Sequence, residues 1–256
     1  MTGAVPLDDR GLLLGDGLFE TLLAREGRLR DLEAHLDRMD RGCAALGLPA
    51  LDRREAEAAM ARAVEGVGGL AAVRLTLTAG SGGRGLDRPA NVTPRIFASA
   101  SPYAPQEGSA RLVTASVRRN EASPASRLKT LAYLDNVLAR REAAAARADE
   151  ALMLNTRGEV ACAAAANLFW IAQDRLFTPA LACGVLDGTM RTKVLTAATG
   201  LGVEIAEVQV GAEVLAQAEG LFLTNSLMGV REVGELDGRR LPALPLAATL
   251  ARRVEN

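Results

Sequence analysis

A stretch rich in proline and glycine most constrains the fold, because it divides the sequence into two parts of unequal length. In SASPYAPQEGSA, Pro102, Pro105 and Gly108 stand among small polar residues, a composition typical of a connection between packed segments. The length of 256 residues allows one large domain or two modest ones. We therefore predict a smaller N-terminal α/β domain over residues 1–104 and a larger C-terminal domain over residues 105–256.

Both parts mix strand and helix patterns, which predicts an α+β fold. In the first part, residues 12–32 (LLLGDGLFETLLAREGRLRDL) predict a strand, a glycine turn and a second strand, with a hairpin turn at 25–28. Helical spacing follows over 31–49 and about 52–66, and VRLTLTAG then alternates as a strand with Arg74 on its polar face. The second part predicts strands at RLVTASV, NLFWIA and LFLTNS, a hairpin at ALMLNTRGEVACA, and helices over 132–148 and at GTMRTKVLTAATGLG.

Composition excludes several classes of protein. The net charge of -1 and the 24% of charged residues are those of an ordinary globular protein, so we expect no nucleic-acid or membrane partner. Cys43, Cys162 and Cys183 lack CxxC spacing, which fits a reducing cytoplasm better than a disulfide framework or a zinc site. The single histidine, His35, excludes a metal site with several histidines and is interpreted as a helix-flank residue.

Lysine is rare in this chain, since only Lys129 and Lys193 occur among 30 basic residues. An amine nucleophile therefore has two candidates. Lys129 follows a predicted strand and precedes a predicted helix in mixed apolar surroundings, where a neutral, nucleophilic amine is favoured. Lys193 stands inside a short helix beside Arg191 and is interpreted as a surface charge. A surface ion pair is the alternative reading for Lys129.

The segment Gly80-Ser81-Gly82-Gly83-Arg84-Gly85 matches GxGxxG after a strand. A dinucleotide-binding turn requires a helix directly after the motif. LDRPANVTP follows instead, and Pro89 and Pro94 would interrupt a helix. We therefore interpret the segment as a glycine-rich loop.

Five segments, in order, carry a resemblance to a known family. They are GDGLFET (15–21), EAHLDRM (33–39), RLKTLAYLDNVLARREA (127–143), DEALMLN with AANLFW (149–170), and GVLDGTMR (184–191). Together they resemble the class IV aminotransferases, which include branched-chain and D-amino-acid aminotransferases and 4-amino-4-deoxychorismate lyase. The resemblance implies a two-domain fold-type IV scaffold, pyridoxal 5'-phosphate as cofactor, and a homodimer. GSGGRG, DEALMLN, AANLFW and NSLMGV are most similar to the lyase branch.

The resemblance also implies roles for individual residues. It places the Schiff-base lysine at Lys129, in the larger domain, and the phosphate-binding arginine at Arg38. The alternative interpretation of Arg38 is a solvent-exposed charge on a helix. The phosphate would also meet the backbone amides of Gly188, Thr189 and Met190 at a helix N-terminus. The hydroxyl of Ser226 would add a further contact, although turn chemistry explains these residue types equally well.

The chain departs from the family at one position. Most relatives carry a glutamate that keeps the cofactor ring nitrogen protonated, and here the position is Cys162. A thiol does this poorly, so the ring should stabilise a carbanion less well. Glu159 lies three residues earlier, an odd spacing that places it on the opposite face of a strand. We therefore predict that Glu159 does not substitute.

Three functions follow as hypotheses. In a lyase, Lys129 removes a proton from the amine-bearing carbon and pyruvate is lost as the ring becomes aromatic; in a transaminase, Lys129 moves that proton to the cofactor. A cofactor-binding protein with little catalysis is the third. Substrate carboxylates need cationic or amide partners, for which Arg74 and Arg84 are candidates; surface charges are the equal alternative for both. Tyr133 and Asn167 are candidates to line the substrate site, with a role in the core or in strand pairing as the alternative.

Overall fold

The computed structural model describes residues 4–255, and the chain divides into two compact units. Unit 1 comprises the residues up to Ala104 together with Leu128–Ala132; unit 2 comprises Pro105–Arg127 and the residues from Tyr133 onward. The α-helices are α1 (Arg10–Leu14), α2 (Leu32–Ala45), α3 (Arg53–Val64), α4 (Leu134–Ala145), α5 (Thr189–Gly200) and α6 (Pro245–Glu255). The strands are β1 (Gly17–Arg25), β2 (Arg28–Leu29), β3 (Leu70–Thr78), β4 (Arg95–Pro102), β5 (Ala110–Thr114), β6 (Glu150–Leu154), β7 (Val160–Ala163), β8 (Asn167–Ala172), β9 (Arg175–Pro179), β10 (Ile205–Val208), β11 (Gly220–Asn225), β12 (Gly229–Leu236) and β13 (Arg239–Arg240).

Unit 1 is built on a four-stranded antiparallel sheet in the order β2-β1-β3-β4. The hairpin turn predicted at 25–28 is confirmed, because Ala24 pairs with Leu29 and Arg25 with Arg28. One face of β1 packs against α2 through the buried Leu18, Leu22 and Leu36. The alternation read in β3 is also present, with Val73 and Leu75 in the core and Arg74 exposed between them.

The prediction of a strand at residues 12–14 was wrong, because these leucines belong to the helix α1. Asp9 caps the helix, its Oδ1 accepting a hydrogen bond from Gly11 N at 2.8 Å. Gly15 ends the helix in the left-handed conformation, at φ +67°. Local capping therefore decides the structure of an apolar run that propensity alone leaves ambiguous.

The segment that carries Lys129 groups with unit 1, although the sequence analysis assigned it to the larger C-terminal domain. The reason is hydrogen bonding to β1: the Phe19 N–H donates to the Lys129 carbonyl at 2.9 Å, and the Leu131 N–H donates to the Gly17 carbonyl at 3.0 Å. Leu128 packs against the core of the same unit. The lysine is thus fixed by unit 1 through a segment distant in sequence.

Unit 2 contains a nine-stranded mixed sheet in the order β10-β9-β8-β11-β12-β5-β6-β7, with β13 paired to β12. On β8, Leu168 and Trp170 belong to one buried cluster, whereas Phe169 and Ile171 belong to another on the opposite face. Helices α5 and α6 contribute to the second cluster, which includes Phe222 of β11. Side-chain alternation therefore places Asn167 of β8 and Thr224 of β11 on the face that α5 covers.

Among residues 4–255, no helix is long and apolar enough to cross a membrane. Nor does that range contain a group of three histidine, cysteine or acidic side chains able to hold a metal ion.

Candidate functional site

In unit 1, Lys129 lies beside an aromatic ring and a second cation. Its Nζ is 4.3 Å from the centroid of the Phe19 ring, and the guanidinium carbon of Arg74 is 3.8 Å from the same centroid. The two cationic groups can therefore be no farther apart than the sum of these distances. Both cationic groups therefore lie against the same aromatic ring. Arg74 could bind an anionic group in the neighbourhood of the Lys129 amine.

A buried carboxylate holds Arg38 on the other side of β1. Arg38 donates to Glu20 through Nε at 2.7 Å and Nη2 at 2.5 Å, and His35 Nδ1 lies 2.7 Å from Glu20 Oε2. Glu20 and His35 are each 1% exposed. Burial raises the pKa of Glu20, but the charge and hydrogen bonds of Arg38 and the hydrogen bond of His35 outweigh it and lower this pKa to about 2.

Sequence reasoning missed this cluster of Glu20, His35 and Arg38. The signal was present, because Glu20 is the only charged residue between Leu18 and Ala24, and a buried carboxylate requires cationic partners. His35 and Arg38 have i,i+3 spacing on α2 and so share one face of that helix. His35 is accordingly a buried member of the cluster, and its interpretation as a helix-flank residue was incomplete.

The glycine-rich loop that carries Arg84 is anchored to the body of unit 1. Arg10, which is 4% exposed, donates to the carbonyls of Leu86 at 2.8 Å and Asp87 at 2.9 Å. The chain then continues into β4 without an intervening helix, as the prolines predict. Arg84 itself is exposed, and among the described contacts none joins it to Arg74 or Lys129.

In unit 2, the N-terminus of α5 meets the end of β11. Gly188 is the N-cap and supplies no side chain to the helix, and the first turn has no acidic residue. The hydroxyls of Thr189 and Ser226 lie 3.2 Å apart. The Met190 side chain is buried in the core, so only its backbone could face a ligand. We call Gly188, Thr189, Met190 and Ser226 the α5 cradle.

Two features suit the α5 cradle to a phosphate group. A helix of twelve residues directs N–H groups and the positive end of its dipole toward an anion. Thr224, 1% exposed, has a side-chain oxygen with no hydrogen-bond partner among the described residues, and it lies on the strand face that α5 covers. Buried hydroxyls are normally paired, so this part of unit 2 has unused capacity to bind a polar ligand.

Two asparagines hold the loops around the α5 cradle. Asn167 Nδ2 donates to the Leu186 carbonyl at 2.9 Å. Asn225 Oδ1 accepts from the N–H groups of Leu227 at 3.0 Å and Met228 at 2.9 Å, which shapes the turn containing Ser226. The sequence analysis identified Asn167 as a substrate residue, whereas its donor here is engaged with the backbone of its own unit.

Cys162 is buried among small side chains of β6, β7 and α4, and burial raises the pKa of its thiol. Glu159 is occupied elsewhere, since it pairs with Arg157 at 2.7 Å and accepts from Asn155 Nδ2 at 2.7 Å. The hydrogen bond of Arg157 lowers the pKa of the Glu159 carboxyl. Tyr133, the remaining candidate, is half-buried at the N-cap of α4.

Comparisons with known proteins agree on one family. The model of amino-transferase class IV matches residues 17–236. A protein of Methanocaldococcus jannaschii, provisionally named a branched-chain-amino-acid aminotransferase, is 34% identical over 242 residues, covering 92% of this chain and 83% of its own. The crystal structure of 4-amino-4-deoxychorismate lyase from Pseudomonas aeruginosa is 34% identical, with a TM-score of 0.91 over 100% of this chain and 96% of that one. A hypothetical aminotransferase from Mycobacterium tuberculosis in its pyridoxal phosphate-bound form is 27% identical, with a TM-score of 0.86 over 99% and 93% of the two chains. The expected fold-type IV scaffold is confirmed by these structures.

Proposed function

The chain belongs to the class IV aminotransferase family and is a pyridoxal phosphate-dependent enzyme, and on that premise we propose that it is a 4-amino-4-deoxychorismate lyase. The observation that carries this proposal is Cys162, a buried thiol with a raised pKa at the position where the family resemblance implies a carboxylate that holds the ring nitrogen. Glu159 is bound to Arg157 and Asn155 and does not replace it. A reaction driven by aromatisation of its product depends least on a strongly protonated ring.

We assign Lys129 as the catalytic base and as the residue that binds the cofactor covalently. When bound, pyridoxal phosphate holds the amino group of the substrate and delocalises the electron pair left when a proton departs. Lys129 Nζ takes that proton from the amine-bearing ring carbon. The carbon–oxygen bond on the neighbouring ring carbon then breaks, the ring becomes aromatic, and the leaving enolpyruvate takes up one proton to become pyruvate.

Other residues bind and orient in this proposal. Arg74, on the Phe19 ring with Lys129, would hold a substrate carboxylate, with Arg84 as a second candidate. In unit 2 the α5 cradle is the candidate to bind the cofactor phosphate, and in unit 1 Arg38 is the candidate that the family resemblance implies. The fixed charge of Glu20 would keep Arg38 in place, because a bidentate ion pair restricts the guanidinium to one orientation.

Substrate conversion tests the proposed reaction. We expect the holoenzyme to release pyruvate from 4-amino-4-deoxychorismate, measured by coupling to lactate dehydrogenase, with 4-aminobenzoate formed in equal amount. A transaminase is the second candidate, favoured by the 34% identity to the Methanocaldococcus protein. It would instead convert the bound cofactor to its amine form on addition of a D- or branched-chain amino acid, without pyruvate release from aminodeoxychorismate. If neither reaction is observed, the third hypothesis remains, a cofactor-binding protein with little catalysis.

Replacing Cys162 with glutamate tests the role of the thiol. We expect Cys162→Glu to change the visible absorbance of the bound cofactor and its pH dependence, because a carboxylate would keep the ring nitrogen protonated. Transamination with an amino acid should become faster in the variant, since a protonated ring stabilises a carbanion better. Cys162→Ser is the matched control of similar size and no charge. A Cys162→Glu spectrum and rate identical to those of the wild type would contradict the proposal.

We also propose that the enzyme is a cytoplasmic homodimer. Unit 1 exposes apolar side chains on α1, just before it and just after the glycine-rich loop: Leu7 is 86%, Leu12 60%, Leu13 63% and Leu86 83% exposed. An exposed apolar surface of this kind commonly packs against another chain. All three cysteines are free and buried, which suits a reducing compartment. Light scattering should give twice the chain mass of 26.8 kDa, whereas a mass of one chain would contradict the dimer.

A further inference from the structure

Asn167 contacts the segment that leads into α5 at two points. Its Nδ2 donates to the Leu186 carbonyl at 2.9 Å. On the other side of the same amide, a Cβ added to Gly188 would overlap Asn167 Oδ1. Asn167 is the first residue of β8 and is 7% exposed. Its side chain is therefore packed between β8 and the N-cap of α5. Gly188 is required there by the close approach of the amide, since its own φ is an ordinary -73°.

The same residue is also paired with β11, the strand that ends at Asn225, directly before Ser226. Asn167 pairs in register with Thr224 on β11, two residues before Ser226. Asn167 thus joins the N-terminus of α5, through its side chain, to the end of β11, through its strand pairing. These are the two parts that form the α5 cradle. The separation of 3.2 Å between the Thr189 and Ser226 hydroxyls therefore depends on where Asn167 holds the helix.

An independent observation indicates that a ligand belongs at this point. Thr224, the register partner of Asn167, has a buried hydroxyl without a partner among residues 4–255. The Asn167 side chain, in contrast, is committed to the protein through its amide. A residue whose polar atoms serve the backbone beside an unsatisfied hydroxyl is placed to arrange a binding site.

We propose that Asn167 is the positioning residue for the phosphate of the cofactor, an inference that rests on the proposed pyridoxal phosphate site. Through Leu186 and Gly188 it sets the first turn of α5 at the distance from Ser226 that a phosphate group spans. Its function is to make binding depend on the phosphate, and it does not touch the substrate. Loss of this side chain should selectively weaken the binding of phosphorylated ligands.

The test compares two ligands that differ only in the phosphate. Wild-type apoprotein and the Asn167→Ala variant are titrated with pyridoxal phosphate and with pyridoxal, following the absorbance of the covalent link to Lys129. We expect Asn167→Ala to weaken the binding of pyridoxal phosphate about tenfold or more. This is the range expected when a displaced first turn of α5 loses one or two hydrogen bonds to the phosphate. Pyridoxal binding should change by less than about twofold, within the ordinary effect of a remote substitution.

Asn136→Ala is the matched control. Asn136 is also a buried asparagine of unit 2, and its hydrogen bonds join it to the Ala164 carbonyl at 2.7 Å and to Arg119 at 3.5 Å rather than to the segment leading into α5. Its removal should reduce thermal stability without changing the ratio of the two affinities. Asn167→Ser, which keeps a polar group but is too short to make both contacts, decides the case where Asn167→Ala does not fold, and it should lower the ratio of pyridoxal phosphate affinity to pyridoxal affinity in the same way.

The outcomes separate this proposal from the cofactor site itself. A wild-type preference for pyridoxal phosphate that is lost in Asn167→Ala or Asn167→Ser and kept in Asn136→Ala supports the positioning role. A preference retained in both Asn167 variants overturns that role while leaving the cofactor site intact. A wild-type protein that links neither ligand to Lys129 overturns both.

Discussion

Lys129→Ala is expected to abolish the covalent attachment of the cofactor and to lower kcat/KM by roughly a hundredfold to ten-thousandfold, the contribution of a positioned acid–base group. The physical reason is that the methyl group of alanine neither bonds to the cofactor aldehyde nor accepts a proton. Borohydride reduction followed by mass spectrometry of peptides should locate the cofactor on residue 129 in the wild type. No labelled peptide should appear in the variant.

Lys193→Ala is the control, because Lys193 is the only other lysine in the chain. It lies on α5, beyond the first turn, and its replacement should leave the label at position 129. A cofactor found on residue 193, or attached equally well in the Lys129→Ala variant, would overturn the assignment. Lys129→Arg adds a second check, since it keeps the positive charge beside Phe19 while removing the nucleophile.

The sequence predicted elements whose signals are local. The alternation of Val73, Arg74 and Leu75 depends on the residues themselves, and so does the stop of α5 near Gly200. The helix read over 132–148 is shorter in the structure, at Leu134–Ala145, because helix ends depend on caps that a periodic pattern does not contain. The three leucines of α1 show the same limit, since Asp9 and Gly15 decided a run that periodicity leaves undecided.

The candidate site could be predicted only where one residue carries the chemistry. The proposed role of Lys129 rests on such a residue, because lysine is rare in the chain and the surrounding motif is specific. The partners of Arg38 required the pairing of β1 with α2, which brings Glu20 to it from 18 positions away. The role of Asn167 likewise depends on its distance to Gly188 across a loop. Roles that arise from contacts between distant segments are not encoded in any short stretch of sequence.

Glu20→Gln is expected to destabilise the protein by about 3–5 kcal/mol at pH 7, the range for removing one partner of a buried ion pair. The variant keeps the size of the side chain but removes the charge that balances Arg38. Chemical denaturation at pH 7 measures the effect. Glu33→Gln is the matched control on α2: Glu33 is 76% exposed and pairs with Arg53 at 3.2 Å, so its replacement should change stability by about 0.5 kcal/mol or less.

The pH dependence of this difference identifies its cause. The folded-state pKa of Glu20 is lowered from 4.5 to about 2, so its contribution is present above pH 4.5 and is lost as pH falls toward 2. A shift of this size corresponds to about 3 kcal/mol of stability. The wild type should therefore lose its advantage over Glu20→Gln across that window, in unfolding measured at steps of pH. An advantage that stays constant down to pH 2.5 would show that the cluster acts by packing rather than by the charge of Glu20.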